Sequence, residues 1–114
     1  MNNQGALAEQ WAAQYLQKQG LKLIEQNYRS RFGEIDLIMQ DGATLVFVEV
    51  RLRRNADFGG AAASLDTRKQ QRLIRTSQLY LATLAQTPAC RFDAVLMGDA
   101  LGQDAEWLKN AFDA

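Results

Sequence analysis

Residues 33–55, GEIDLIMQDGATLVFVEVRLRRN, limit the possible folds more than any other part of the sequence. Two runs rich in Ile, Leu, Val and Phe flank an Asp-Gly pair, which is typical of a tight hairpin turn. The sequence therefore predicts two antiparallel strands, over residues 33–40 and 45–52. Asp36 and Glu49 interrupt these apolar strands, and an acid inside such a strand needs a physical reason.

The length of the turn decides whether these two acids meet. Alternate residues of a strand share a face, which predicts one face with Glu34, Asp36 and Ile38 and another with Ile35, Leu37 and Met39. A loop of Asp41-Gly42 alone places Glu34 opposite Glu49, with Asp36 one diagonal step away. A loop from Asp41 to Thr44 places Asp36 directly opposite Glu49. Only a three-residue loop separates the acids, because a slip of one residue inverts the facing of a strand.

Two carboxylates held side by side repel each other, which raises a pKa or requires a cation between them. Carboxylate oxygens, completed by water and phosphate, are the ligands of Mg²⁺ or Mn²⁺ in phosphoryl-transfer sites. Asp36 and Glu49 are therefore candidate ligands of such an ion, which is the predicted cofactor. The alternative is that both acids form salt bridges with Arg31, Arg51 or Arg53 on a solvated face of the sheet.

The composition excludes several other kinds of chemistry. A length of 114 residues, of which 47% are hydrophobic and 23% charged, predicts one domain over residues 1–114. Cys90 is the only cysteine, expected to be buried in a strand, and there is no histidine, so the usual zinc sites and histidine bases are not available. With no apolar stretch of transmembrane length and no signal-peptide pattern, we expect a cytoplasmic protein without membrane contact.

Basic residues concentrate in one part of a chain whose net charge is zero. Residues 51–75 contain seven basic and two acidic side chains. Basic side chains can contact a phosphate backbone. The candidate nucleic-acid-binding residues are Arg53, Arg54, Arg68, Lys69, Arg72 and Arg75. For those on the predicted helix, a solvated helix face is the alternative interpretation.

The remaining elements follow from hydrophobic periodicity and from Gly and Pro positions. The sequence predicts a helix over residues 5–19 ended by Gly20, a short strand over residues 21–30 and a loop over residues 55–64. A second helix is predicted from Ser64 or Asp66 to about Leu84, then a core strand over residues 90–97. The C-terminal segment receives no assignment. This order predicts an α/β sheet flanked by helices.

Several motifs resemble the YraN family of predicted nucleases. They are Gly33-Glu34-Ile35-Asp36-Leu37-Ile38, Phe47-Val48-Glu49-Val50-Arg51, Phe58-Gly59, Arg91-Phe92-Asp93 and the C-terminal EWLKNAF. The resemblance implies the PD-(D/E)XK nuclease fold, which includes archaeal Holliday-junction resolvases and type II restriction enzymes. It implies a restriction-endonuclease-like core with a mixed sheet and metal-dependent hydrolysis of branched or structured DNA. A homodimer, as in resolvases, is left open.

The resemblance also assigns roles to single residues. Asp36 and Glu49 would hold the metal, and Glu9 on the first helix would complete the site. Lys69 resembles the family's basic residue on the helix after the core hairpin. Glu34, on the predicted face of Asp36, is a further candidate ligand. The candidate catalytic residues are Asp36, Glu49, Arg51 and Glu9.

Arg51 departs from the superfamily motif, which has Lys at this position. An arginine cannot serve as a general base, although it can orient water or stabilise charge on a reacting phosphate. Beside two acids it is expected to lower their pKa values and keep them ionised without metal. A nuclease fold that has lost hydrolysis and acts as a DNA-binding or partner module is therefore the alternative function.

Overall fold

The structure is a computed structural model and describes residues 3–52 and 65–113. Its elements are α1 (Gln4–Lys18), β1 (Lys22–Ser30), β2 (Gly33–Asp41), β3 (Thr44–Leu52), α2 (Thr67–Leu81), β4 (Ala89–Met97) and β5 (Glu106–Phe112). Arg53, Arg54 and the predicted loop over residues 55–64 lie outside the described residues. Within those described, no helix is both long enough and apolar enough to cross a membrane.

The strands form one sheet in the order β1-β2-β3-β4-β5. β3 and β4 are parallel, and the other neighbouring pairs are antiparallel. A parallel pair needs a crossover connection, and α2 lies between these two strands in the sequence. The predicted α/β fold with a mixed sheet flanked by helices is confirmed, and it is consistent with a restriction-endonuclease-like core.

Each helix covers its own hydrophobic cluster. The α1 cluster includes Ala12 and Leu16 of the helix with Leu37 and Val48 of the sheet. The α2 cluster includes Leu73 and Tyr80 of the helix and, from the sheet, Ile35, Ile38, Phe47 and Phe92. β2 and β3 therefore contribute to both cores, which explains their nearly continuous burial.

The helix ends follow local hydrogen bonding. Gly20 has a φ of 101°, and the N–H of Leu21 donates to the Leu16 carbonyl at 3.0 Å, so Gly20 ends α1 as predicted. α2 ends at Leu81, earlier than the predicted Leu84. The hydroxyl of Thr83 donates to the Tyr80 carbonyl at 2.6 Å and competes with the helical pattern there.

The β2–β3 hairpin has the second of the two registers that bring the acids together. Asp41 pairs with Thr44, and Leu37 pairs with Val48. One further step in this register sets Asp36 opposite Glu49. Gly42, the first of the two loop residues, has a φ of 61°, a conformation that favours glycine at this position of a tight hairpin turn.

The predicted alternation of β2 is wrong at Ile35. Leu37 lies in the α1 cluster as expected, but Ile35 lies in the α2 cluster with Ile38. Asn27 of β1 stands opposite Asp36, between the Gln26–Leu37 and Tyr28–Ile35 pairs, and has a left-handed φ of 52°. A residue in this conformation interrupts the pleat of the sheet. The regular alternation of side chains between the two faces of the sheet is therefore broken next to it.

The C-terminal segment without a predicted structure is β5, an edge strand that pairs with β4. Its short and irregular sequence pattern gave no strand signal. Cys90, predicted to be buried, is exposed, because β4 enters the core only from Phe92 onward.

Candidate functional site

A cleft of about 530 Å³ opens where β2 begins and β3 ends. The N-terminal halves of both helices border it. Its acidic and basic lining residues are Glu9, Glu34, Asp36, Glu49, Arg51, Lys69 and Arg72. All three candidate acids of the predicted catalytic set, and Arg51, therefore face one cavity. Gly5 and Ala8 of α1 and Gly33 of β2 leave space at its border.

The cleft forms because β2 and β3 separate. Their last backbone pair is Leu37–Val48. Beyond it β2 continues beside β1, and β3 continues beside β4. The N–H of Val50 donates to Asp36 Oδ2 at 2.8 Å instead of to a strand carbonyl. The two acids therefore stand at the fork between diverging strands.

The fork buries both acids. Asp36 is 9% exposed and Glu49 is 4% exposed. Burial raises the pKa of Asp36 from an ordinary 3.8 to about 9, helped by repulsion from Glu49 and a hydrogen bond with it. The Val50 N–H opposes this shift. Asp36 is therefore protonated at neutral pH, and the expectation that Arg51 keeps both acids ionised is wrong for Asp36.

Two cations contact Glu49 from different elements. Lys69 Nζ of α2 lies 2.9 Å from Glu49 Oε2, and Arg51 Nη1 lies 3.6 Å from the same oxygen. Lys69 was predicted to bind nucleic acid and resembles the family's basic residue on the helix after the hairpin, but nothing in its spacing relates it to Glu49. Asp66 begins α2 by accepting a hydrogen bond from the Lys69 backbone N–H at 2.9 Å, which fixes the first turn of the helix.

Glu9 and Glu34 line the cleft but have other partners. Glu9 Oε1 accepts a hydrogen bond from Asn27 Nδ2 at 2.8 Å, and Glu34 Oε1 lies 3.5 Å from Arg29 Nε. Asn27 is a site residue that sequence reasoning missed. Among residues 3–52 and 65–113, no three Cys, Asp or Glu side chains converge as a potential metal-binding group. The carboxyl groups in direct contact are those of Asp36 and Glu49.

Residues 8–97 match the model of an uncharacterised protein family, UPF0102. The chain belongs to the UPF0102 family. It is 57% identical to a UPF0102 protein of Nitrosomonas europaea, over 97% of this chain and 94% of the relative. It is 55% identical to one of Psychromonas ingrahamii, over 97% and 90%, and 52% identical to one of Methylobacillus flagellatus, over both full lengths. The predicted YraN membership is confirmed, since UPF0102 is this family.

The basic candidates of this UPF0102 chain occupy different positions. Lys69 and Arg72 line the cleft, whereas Arg68 and Arg75 are exposed on α2. Arg68, Arg72 and Arg75 are all exposed, and the buried side of the helix is formed by residues such as Leu73, Thr76 and Tyr80. Their contact with nucleic acid stays a prediction.

The family motif Arg91-Phe92-Asp93 has a structural place outside the cleft. Asp93 is 1% exposed. It accepts hydrogen bonds from Arg91 Nε at 3.0 Å, from the indole N–H of Trp107 at 2.9 Å and from the backbone N–H of Asn110 at 3.1 Å. These contacts attach β5 to β4. The sequence signal, an acid within an apolar strand, is the same as for Asp36.

Proposed function

We propose that this chain is a metal-dependent endonuclease that hydrolyses phosphodiester bonds in branched or structured DNA. The observation that supports it best is the buried contact between Asp36 and Glu49 in a cleft that also contains Lys69. Strongly shifted carboxyl pairs in clefts are characteristic of functional sites. The choice of DNA, and of branched DNA, comes from the family resemblance.

The donor chemistry of the pair fits a hard divalent ion. Mg²⁺ binds through one or two carboxylates and takes its other ligands from water and substrate phosphates, so Asp36 and Glu49 suffice as protein ligands. When bound, Mg²⁺ or Mn²⁺ would polarise the phosphodiester and lower the pKa of a water molecule. Asp36 must release its proton to act as a ligand, and the attraction of a divalent ion compensates for the burial that holds the proton.

The cations of the cleft have separate roles in this proposal. Arg51 is permanently charged and stabilises negative charge on the reacting phosphate. Lys69 extends from α2 and places an ammonium group beside Glu49. In the superfamily motif, a lysine at position 51 would provide such a group. It orients water and stabilises charge. Glu9, bound by Asn27, contributes a smaller share of the negative potential at Asp36.

Substrate binding in this proposal depends on backbone phosphates. Arg72 lines the cleft, and Arg68 and Arg75 extend the basic character along the exposed side of α2. Such contacts position a nucleic acid without reading its sequence. A cytoplasmic location and a homodimer belong to this proposal as predictions.

The alternative is a DNA-binding module that retains the nuclease fold without hydrolysis. One observation favours it: Glu49 has Lys69 and Arg51 as partners, and Asp36 is protonated, so the cleft is electrostatically compensated without a metal. Arg51 at the place of the motif lysine points in the same direction.

A cleavage assay separates the two candidates. Wild-type protein is incubated with branched, single-stranded and duplex DNA in Mg²⁺, Mn²⁺ or EDTA, beside Asp36→Ala. The nuclease proposal expects metal-dependent nicking that falls by at least about a hundredfold in the variant, as for loss of a principal charge-stabilising group. Asp113→Asn removes an exposed carboxyl outside the cleft and serves as the matched control.

Each outcome has a clear meaning. Wild-type cleavage that is absent on all three substrates, together with DNA binding, supports the inactive module. Cleavage that survives Asp36→Ala contradicts both candidates, because it places the chemistry outside this cleft or in a contaminant. Calorimetric titration with Mn²⁺ gives a second readout, and Asp36→Ala should lose binding that Asp113→Asn retains.

A further inference from the structure

A second arrangement of cations lies at the turn that joins β1 to β2. Arg31 and Phe32 are the two residues between these strands. The guanidinium carbon of Arg31 lies 5.0 Å from the centroid of the Phe32 ring. That of Arg75, on α2, lies 5.5 Å from the same centroid. One half-buried aromatic ring therefore holds two guanidinium groups from separate elements.

The turn is fixed against α2. Ser30 Oγ lies 2.9 Å from Thr76 Oγ1, and it accepts a hydrogen bond from the Phe32 N–H at 3.0 Å. Gly33, which follows the turn, lies beside the helix: a Cβ there would be in ordinary van der Waals contact with Cβ of Arg72, at 3.6 Å. The backbone of the turn that carries Arg31 and Phe32 is thus held against α2 before any ligand binds, which lowers the entropy lost on binding.

The two guanidinium groups have no acidic partner within the part of the chain that the structure describes. In the described ranges, 3–52 and 65–113, neither Arg31 nor Arg75 forms an ion pair with a carboxylate. Arg29, two residues before Arg31, does so with Glu34 at 3.5 Å. Stacking on a ring orients a guanidinium and leaves its N–H edge available, and this edge matches the oxygens of a phosphate.

The location connects this turn with the cleft. Gly33, Glu34 and Arg72 line the cleft, and Arg75 follows Arg72 by one turn of α2. Lys69 and Arg75 are six residues apart, which corresponds to about 9 Å along the helix axis. Each strand of B-form DNA rises about 3.4 Å per nucleotide, so this distance corresponds to about two to three nucleotides.

We propose that Arg31, Phe32 and Arg75 form a phosphate clamp that binds the backbone of a nucleic-acid strand as it leaves the cleft. The inference rests on the proposed function, because a strand held at Asp36 and Glu49 defines the path that passes the clamp. The ring of Phe32 orients the two guanidinium groups, and backbone phosphates of the strand neutralise them. The clamp adds affinity without sequence preference.

The test measures DNA binding by fluorescence anisotropy in EDTA, where hydrolysis does not interfere. Arg31→Ala and Arg75→Ala should each weaken binding of a labelled duplex or junction by about three- to tenfold at moderate salt. Each should also lower the slope of log K against log salt by about one unit. Arg29→Ala is the matched control, since it removes the same charge two residues earlier, at the end of β1, and it should change affinity less than about twofold.

Phe32→Leu tests the ring separately from the charges. It keeps both guanidinium groups and an apolar side chain, and it should weaken binding by about threefold through loss of the cation–π contacts. Thermal melting of each variant confirms that the fold is retained. Equal losses in Arg29→Ala and Arg31→Ala, or unchanged affinity in Phe32→Leu and Arg75→Ala, would overturn the clamp.

The clamp and the nuclease proposal fail in different ways. Metal-dependent cleavage by wild type, with DNA affinity unchanged in Arg31→Ala and Arg75→Ala, contradicts the clamp and leaves the nuclease proposal standing. Absent cleavage, with the expected losses of affinity, supports the clamp and removes the nuclease proposal. Absence of DNA binding by wild-type protein contradicts the clamp, and the cleavage assay then decides the nuclease proposal alone.

Discussion

Two buried acids on the same sheet have opposite surroundings. Asp93 on β4 receives hydrogen bonds from Arg91, from the Trp107 indole and from the Asn110 backbone. Asp36 on β2 receives one backbone hydrogen bond, from Val50, and otherwise meets the carboxyl group of Glu49. A buried carboxyl group surrounded by donors holds a structure together, whereas one that faces another acid costs free energy until a ligand or proton compensates it.

The difference separates a structural acid from a candidate functional one. The contacts of Asp93 attach β5 to β4, and Arg91 extends them to Asp41 at the β2–β3 turn with a distance of 2.9 Å. Among the described residues, the one backbone hydrogen bond of Asp36, from Val50, joins β2 only to the neighbouring β3. Unfavourable electrostatics of this kind concentrates where proteins bind ligands. Substitutions of the two acids should therefore change stability in opposite directions.

The largest effect is expected for Asp93→Asn. This change should lower the free energy of unfolding by about 3 kcal/mol, because Arg91 is mostly buried and loses the charge of its fully buried partner, both of whose oxygens it contacts. Urea denaturation measures it. Asp41→Asn is the matched control, since it removes an exposed partner of the same arginine and should cost less than about 1 kcal/mol. Similar losses in the two variants would refute a special role for Asp93.

Asp36→Asn should instead stabilise the protein at neutral and alkaline pH. The folded pKa of about 9 exceeds the ordinary 3.8, so between these values the folded state binds more protons than the unfolded state. The stability contributed by neutral Asp36 is complete below pH 3.8 and is lost as the pH rises toward 9. Asparagine does not ionise, and it can still accept the Val50 hydrogen bond.

The stability difference between Asp36→Asn and wild type should therefore grow with pH. We expect almost none near pH 4 and a gain of the order of 1–3 kcal/mol near pH 8, measured by urea denaturation at both values. Asp113→Asn, which changes an exposed carboxyl, should show no such trend. A gain that is constant or that shrinks with rising pH would mean that Asp36 is ionised in the folded protein.

Local patterns predicted most of the fold. The period of two and the Asp-Gly pair define the β2–β3 hairpin, and Gly20 and Asp66 mark helix ends. The turn left two registers of the hairpin possible, and both placed Asp36 and Glu49 close together on one face of the sheet. The face of the sheet on which the Ile35 side chain lies could not be predicted, because it depends on the left-handed conformation of Asn27 in the neighbouring strand.

The missing parts of the site depend on long-range contacts. Lys69 reaches Glu49 from a helix that begins fifteen residues after β3 ends, and no sequence period relates the two. The raised pKa of Asp36 requires the depth of burial, which the sequence does not give. Asp93 and Asp36 have the same sequence signature, an acid within an apolar strand. Only the surrounding donors, supplied by Arg91 and β5, distinguish them.

Lys69→Gln should have a smaller effect on stability than the changes of the two aspartates. The ammonium group is 2.9 Å from a buried carboxylate but is itself about one-third exposed, so we expect a loss of about 1 kcal/mol at pH 8. Added Mn²⁺ should raise the melting temperature more in this variant than in wild type, because the ion no longer competes with the Lys69 ammonium group for Glu49. Differential scanning fluorimetry with a Mn²⁺ titration measures both quantities.

Arg68→Gln is the control for Lys69→Gln, since it removes an exposed charge from the same helix turn. It should leave both the stability and the Mn²⁺ response close to those of wild type. An equal Mn²⁺ response in Lys69→Gln and wild type would show that the ion does not bind where Lys69 contacts Glu49.

The smallest effect is expected for Arg51→Lys. Arg51 is 3.6 Å from Glu49, farther than Lys69, and lysine retains the charge, so stability should change by less than about 0.5 kcal/mol. If position 51 only stabilises charge in a working nuclease, metal-dependent nicking should stay within about tenfold of wild type, or 1.4 kcal/mol of barrier. The assay compares wild type, Arg51→Lys and Asp36→Ala on the same branched DNA.

The same three proteins also test whether arginine marks a site that has lost hydrolysis. In that case wild type cleaves no faster than Asp36→Ala, and Arg51→Lys restores activity, because a lysine can release its proton and an arginine cannot. A loss of far more than tenfold in Arg51→Lys contradicts both readings, since it would require the planar, bidentate guanidinium itself. Arg51 would then orient the substrate beside Asp36 and Glu49 as well as stabilise its charge.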